Sequence, residues 1–219
     1  MQTKRPPNDD DAISTPKDVA LRRAPAQKRA KESIERIFKV TKQLLETRGL
    51  DQINTNHIAT ESGLSTGAIY NYFPNKEAIL FAMVEGWLER LRQGYRDALQ
   101  NVSQFSNPFE WIEFVLHHNE DCYDSEPVIA RYYNALTILP DLMRLDAEHD
   151  DRAGSDMVDA QLVFSPDLSL EQAKVNATTM ILMIHSILAS TVSQKPDFSA
   201  RMRSELRYCL NALIAKHQN

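Results

Sequence analysis

Thr66, Tyr70, Asn71 and Tyr72 bring a hydroxyl, a carboxamide and two phenols into a short stretch of chain. Such groups hydrogen-bond; on an exposed short helix they suit phosphate oxygens and nucleobase edges. Residues able to make or break bonds are scattered by comparison. His117, His118 and Glu120 could supply acid–base chemistry, but no Ser-His-Asp constellation, phosphate loop or metal framework accompanies them. The run Asp146-x-x-His149-Asp150-Asp151 has helix-compatible spacing for a divalent cation. With Arg144 and Arg152 at its ends it reads instead as a solvated acidic stretch. Cys122 and Cys209 are too few for a disulfide scaffold and have no basic neighbour in sequence to lower a thiol pKa. The expectation is a binding protein rather than an enzyme, with no metal and no cofactor.

The elements that must hold these residues are helical. Six glycines in 219 residues are few, and no run alternates with period two, so an all-α fold is expected. Residues 1–24 are poor in apolar side chains, contain Pro6, Pro7 and Pro16, and read as a disordered tail. Ile34, Ile37, Phe38, Thr41, Leu44 and Leu45 then form one apolar stripe, which predicts a helix over about 27–48 that stops at Gly49. Thr55 is a candidate N-cap for a helix reaching Ser62, Ser65 for a second over 66–72, and Asn75 for a long helix that fades near Val102. Ala59, Gly63 and Leu64 supply the small crossing residue, the turn residue and the apolar backing of a helix-turn-helix. Ile58 and Ile69 then face inward, while Thr66, Gly67, Ala68, Tyr70, Asn71 and Tyr72 face solvent. Further prolines divide the remainder into helices of about 108–124, 127–139, 140–163 (with a break considered near Gly154), 169–194 and 198–217.

Charge follows the same division. The chain carries a net charge of -5. Residues 1–104 hold 16 bases against 13 acids, whereas residues 105–219 hold 9 against 17. Within Arg22–Arg48 nine bases face three acids. A basic end on an acidic body suggests a nucleic-acid or membrane-surface end, or simply a solvated helix face. No apolar run approaches the ~20 residues of a membrane span and no secretory signal opens the chain, so a cytoplasmic protein is expected.

The stretch from Ile58 to Leu80 resembles the DNA-binding domain of the TetR (tetracycline-repressor-like) family. The resemblance rests on Ala59 and Gly63 of the turn, the run Gly67-Ala68-Ile69-Tyr70-Asn71-Tyr72-Phe73, and the opening Lys76-Glu77-Ala78-Ile79-Leu80 of the next helix. It extends over about residues 28–90. It implies an N-terminal three-helix domain over 25–75, joined by a long helix to a C-terminal helical effector-binding and dimerisation domain over 76–219. Tyr70 and Tyr72 would be backbone- and base-contacting aromatics of the recognition helix. Thr66, Gly67, Ala68 and Asn71 would approach base edges, with Ala68 able only to pack, for example on a thymine methyl. Thr55 and Asn56 would touch phosphate and sometimes a base, and Lys76 a phosphate. Phe73 reads as core. Lys28, Arg29 and Lys31, with Arg22 and Arg23, form a basic flank that could reach an adjacent groove or merely solubilise.

The implied partners are double-stranded DNA bearing a palindromic operator, a small-molecule effector and a second copy of the chain. The last two helices are the dimer candidates, with Ala173, Ala177, Met180, Ile181, Ile184 and Leu188 on one and Phe198, Leu206, Cys209 and Leu210 on the other. Seven of the 17 aromatic residues fall within 105–133. Trp87, Trp111, Phe114, His118 and Tyr132 are the residues expected to line an apolar effector cavity, against the plainer reading that they are core. His185, midway along an apolar helix, faces the same choice. The function expected is a sequence-specific transcriptional repressor released from its operator by a largely apolar or aromatic effector. A helical small-molecule enzyme or carrier with an adaptor N-terminal domain is the alternative.

Overall fold

The computed structural model describes residues 28–136 and 139–217. The expected tail 1–24, with Arg22 and Arg23, lies outside the described residues. Nine α-helices and no strand occur among the described residues. They are α1 Lys28–Arg48, α2 Thr55–Ser62, α3 Thr66–Tyr70, α4 Lys76–Gln100, α5 Pro108–Ser125, α6 Pro127–Leu136, α7 Pro140–Phe164, α8 Leu170–Thr191 and α9 Pro196–Ala215. Single 3₁₀ turns lie at Leu50–Gln52 and Val102–Gln104.

Local chemistry sets the boundaries of the first four helices. The Gly49 N–H bonds the Leu45 carbonyl at 3.0 Å and its φ of 78° turns the chain out of α1. Asn54, not Thr55, caps α2: its carboxamide oxygen accepts from the His57 N–H at 2.9 Å. Asn and Thr are both good caps and stand side by side here. With Asn54 taking that place, Thr55 becomes the first helical residue and its hydroxyl is free for another task. Gly63, at φ 66°, ends α2, and the Leu64 N–H reaches back to the Ala59 carbonyl at 3.1 Å, the 6→1 bond of a Schellman turn. Ser65 caps α3 through the Ala68 N–H at 3.1 Å, and Asn75 caps α4 through the Ala78 N–H at 2.8 Å.

Helix α3 stops at Tyr70, two residues before its expected end. The Tyr72 and Phe73 N–H groups both turn to the Ile69 carbonyl at 2.9 Å. Pro74 disfavours a helical residue before it, and the Phe73 ring swings inward to full burial, 5.8 Å from the Phe38 ring. In the body, α7 runs unbroken through Gly154. Ser169 caps α8 rather than joining it, and α9 opens two residues earlier than expected, on Pro196.

Helix α4 is 25 residues long, about 37 Å, and belongs to both halves of the molecule. Its first turns bury Ala78, Ile79 and Leu80, contiguous with Ile37, Leu45, Ile58 and Ile69 of the three-helix unit. Its later turns bury Trp87, Leu91, Tyr95 and Ala98 among α5, α6 and α7. The crossing with α5 is close enough to demand a glycine. A Cβ at Gly94 would lie 2.1 Å from His118 Cδ2, and that imidazole is anchored by Nε2 on the Arg90 carbonyl at 2.7 Å.

Two contacts join α6 and its approach to the reading unit. The Tyr132 hydroxyl donates to the Leu45 carbonyl at 2.9 Å. Glu126 receives Lys42 of α1 at 2.5 Å and Arg90 of α4 at 3.3 Å.

Gly94→Ala tests the crossing. Helix propensity alone would stabilise by about 1 kcal/mol, whereas overpacking costs about 1–3 kcal/mol. The urea midpoint is expected to fall at unchanged m-value, and His118→Ala in the same chain should recover the loss.

Candidate DNA-reading surface and ligand-binding body

The helix-turn-helix is built outward from three buried side chains. Ile58, Ala59 and Ile69 close the junction of α1, α2 and α3. That packing leaves Asn56, Gly67, Tyr70 and Asn71 exposed, with Thr55, Thr66 and Ala68 half-buried around them. Thr55 Oγ and the Tyr70 hydroxyl stand 3.2 Å apart, so the start of α2 and the end of α3 share one polar face. A hydroxyl pair of this kind can accept and donate at once, which suits a phosphate oxygen or a base edge. Tyr72 sits in the turn after α3, half-buried and packed against the core. Lys76 opens α4 and its ammonium donates to the Leu50 carbonyl at 3.3 Å. That bond holds the cation beside the free N–H groups of the α4 N-terminus, where the helix dipole already favours an anion. Lys28, Arg29 and Lys31 are exposed on the first turn of α1.

The five side chains expected to line an effector cavity have separate surroundings. Trp87 is fully buried; its indole N–H donates to the Cys122 carbonyl at 3.2 Å and its ring meets Tyr123 and Tyr133 edge-on. Tyr132 contacts α1, His118 fills the notch at Gly94, and Phe114 is 41% exposed beside Phe105. Trp111 alone borders a cleft, a narrow one of about 20 Å³, with Pro108, Phe164, Leu168, Ile214 and the polar Gln161 and Asn176. The Trp111 indole N–H is buried there with no hydrogen-bond partner. Spacing on one helix shows which residues share a face; it does not show which of them a third helix will cover.

A polar cluster in the middle of the body joins residues that the sequence offered only separately. His149 of α7 is 4% exposed, and the His185 ring of α8 lies over it at 5.3 Å with 23° between planes. His185 Nδ1 is 3.6 Å from an Asp150 carboxylate oxygen, and Nε2 is 3.4 Å from the Tyr95 hydroxyl. That hydroxyl donates to Asn119 Oδ1 at 3.2 Å, and the Asn119 amide donates to the Val115 carbonyl at 2.8 Å. Burial, with His185 and Arg92 nearby, pushes His149 down to about 3, and burial alone brings His185 down to about 4. Burial together with Asp146 and Asp151 pushes Asp150 up to about 7. Both imidazoles are therefore neutral at pH 7, and each has a lone pair to offer.

The expected dimer helices hold their stripes differently from expectation. Ala173, Ala177, Met180, Ile181, Ile184 and Leu188 of α8 are buried within the subunit, as are Leu206 and Leu210 of α9. The large apolar side chains left outside are Leu170, Val175 and Leu182 of α8 and Phe198 and Tyr208 of α9. A single layer of core behind α8 and α9 consumes the strong stripes, so the weaker opposite faces are what remain for a partner.

Comparison with known proteins agrees with this architecture. The family model described as bacterial regulatory proteins, tetR family, matches residues 37–83, from the middle of α1 into α4. The transcriptional regulator EthR of Mycolicibacterium smegmatis is 27% identical over 95 residues, and the match spans 43% of this chain and 43% of that relative. A TetR-family transcriptional regulator from Marinobacter aquaeolei VT8 superposes with a TM-score of 0.63 at 18% identity, over 85% of this chain and 91% of that one. Thermus thermophilus FadR, a TetR-family repressor solved with lauroyl-CoA, gives 0.55 at 21% identity, over 85% and 95%. These solved structures share the fold over 85% of this chain, and the match to EthR covers less than half of either chain. With the turn residues Ala59, Gly63 and Leu64, the capped α3 and the Lys76 opening of α4 all in place, residues 37–83 match the tetR family of bacterial regulatory proteins, and the chain's likeness to that family rests on this stretch.

Proposed function

We propose that this chain is a dimeric, sequence-specific DNA-binding repressor whose helical body takes up a small, largely apolar effector. The observation that carries the reading is the outward face of the helix-turn-helix, where Thr55 and Tyr70 pair at 3.2 Å and Lys76 is held at the adjacent helix N-terminus. Each subunit would lay α3 in a major groove, with half-sites of a palindrome one helical turn or more apart, about 34–36 Å. Thr66, Gly67, Ala68, Tyr70 and Asn71 would read bases, while Thr55, Asn56, Tyr72 and Lys76 would set register on phosphates. Effector binding would lower operator affinity by favouring a subunit arrangement that misplaces the two α3 helices.

The Trp111 cleft supports the effector reading by the chemistry of its lining rather than by its volume. Its walls are apolar, and the orphaned indole N–H with Gln161 and Asn176 supplies a few polar handles. The lauroyl-CoA in the Thermus thermophilus neighbour is consistent with a ligand that has a long apolar part. No described helix is long and apolar enough to cross a membrane.

Gel-shift titration at ~0.15 M salt tests the DNA reading. A palindrome upstream of the chain's own gene should bind about 10³-fold or more tighter than random duplex; equal binding would overturn the reading. Lys76→Ala should weaken both duplexes by a similar factor and flatten the log–log salt slope by ~0.9. The dimer is tested by Leu182→Glu combined with Tyr208→Glu. A buried carboxylate pair at the interface is expected to give monomers in analytical ultracentrifugation with helix content unchanged, and palindrome binding should fall with it.

A further inference from the structure

We propose that His149, Asp150 and His185 form a binding site for a divalent transition-metal ion of the zinc class, between α7 and α8 in the middle of the body. In sequence the acidic run around His149 looks like a solvated stretch. The fold changes its composition: it brings His185 from the next helix onto His149 and turns Asp150 towards both.

The donor set is the first argument. One donor atom from each of the three residues can be chosen so that all lie within 4.8 Å of one another. A tetrahedral zinc with bonds near 2.0–2.1 Å separates its ligands by about 3.4 Å. The His185 Nδ1 to Asp150 oxygen distance is already 3.6 Å, so that edge of the polyhedron is in place. The remaining closure of about 1.4 Å or less is within reach of small side-chain rotations. Two neutral imidazoles and a carboxylate suit zinc, nickel or cobalt and disfavour magnesium and calcium, which take oxygen ligands.

The second argument is that the surrounding groups hold the ligands in the right form. His185 keeps Nδ1 towards Asp150 because Nε2 faces the Tyr95 hydroxyl, which is itself fixed on Asn119. Asn119 is fully buried and anchored on the Val115 carbonyl. A chain of this type on the far nitrogen is the usual way a metal-binding histidine is oriented and its tautomer chosen.

The third argument is that these atoms are otherwise unpaired. Neither His149 nitrogen completes a hydrogen bond, and the facing Asp150 oxygen is buried without one, although His149 is 96% buried. Orphaned polar atoms this deep call for an ion or another partner. Arg92 of α4 opposes the site, and Glu89 pairs with it. Asp146 and Asp151 add negative charge next to Asp150. Access is open on two sides: Asp150 borders a groove with Gly154, Val158 and Lys174, and His149 borders a small cleft with Glu85 and Arg92.

The test uses the full chain, stripped with a chelator and titrated with Zn²⁺ against a chromophoric competitor, with Co²⁺ as a spectroscopic probe. One equivalent of Zn²⁺ per chain is expected, unaffected by excess Mg²⁺, and Co²⁺ should give the intense visible band of four-coordinate cobalt. His149→Gln and His185→Gln should each weaken Zn²⁺ by about 100-fold or more, and Tyr95→Phe, which only positions His185, by about 10-fold. His117→Gln, an exposed histidine on α5, should change nothing. Should the glutamine variants misfold, the wild-type cobalt spectrum decides: an octahedral, weakly absorbing complex overturns the proposal. It is equally overturned if Zn²⁺ fails to saturate at one equivalent, or if folded His149→Gln and His185→Gln bind as the wild type does. None of these readouts involves DNA, so they stand or fall apart from the repressor reading.

Discussion

Helix α4 has to satisfy two cores with one register. Its opening turns seal the three-helix unit through Ala78, Ile79 and Leu80, and its later turns carry Trp87, Leu91 and Tyr95 into the body. A helix is stiff over this length, so rotating it to improve one core would unpack the other. The Asn75 cap and the Gly94 notch fix that rotation at two points. At the first, the Ala78 N–H is held at 2.8 Å, and at the second the His118 ring occupies the space of a side chain. The placement of α3, of Lys76 and of the Trp87 ring cluster all follow from it.

The reading unit was largely legible in the sequence because its determinants are local. Gly63, Ser65, Asn75 and Pro74 act on the residues beside them, and the inward positions of Ile58, Ile69 and Phe73 follow from helical spacing. The errors there are also local. Asn54 and Thr55 are adjacent and both able to cap, and the stretch from Ser65 to Pro74 has room for a longer helix than the one that forms, because the residue before a proline resists the helical conformation. The body was legible only as a set of helices between prolines. Which aromatic residue meets which depends on how α4, α5, α7 and α8 cross, and no spacing along one helix contains that. Trp87, Trp111 and Tyr132 thus went to three different environments, and the meeting of His149 with His185 had no signal in the chain.

The body pays for its polar interior in stability. Tyr95, Asn119, His149 and Gln161 occupy volume that leucine or phenylalanine could fill, and an unmade hydrogen bond on a buried group costs about 1–3 kcal/mol. Asn119 and Gln161 recover that through backbone carbonyls; the His149 ring does not.

The two contacts between α1 and the α6 region differ in kind. Glu126, with Lys42 and Arg90, is an ion cluster at the surface, and dissolved salt weakens such a cluster. The Tyr132 bond to the Leu45 carbonyl involves no net charge and is indifferent to salt. One is therefore a clasp and the other a pivot. A change of ionic strength loosens the clasp while the pivot keeps its place, so salt alters how firmly the three-helix unit is seated on the body without moving the point about which it turns.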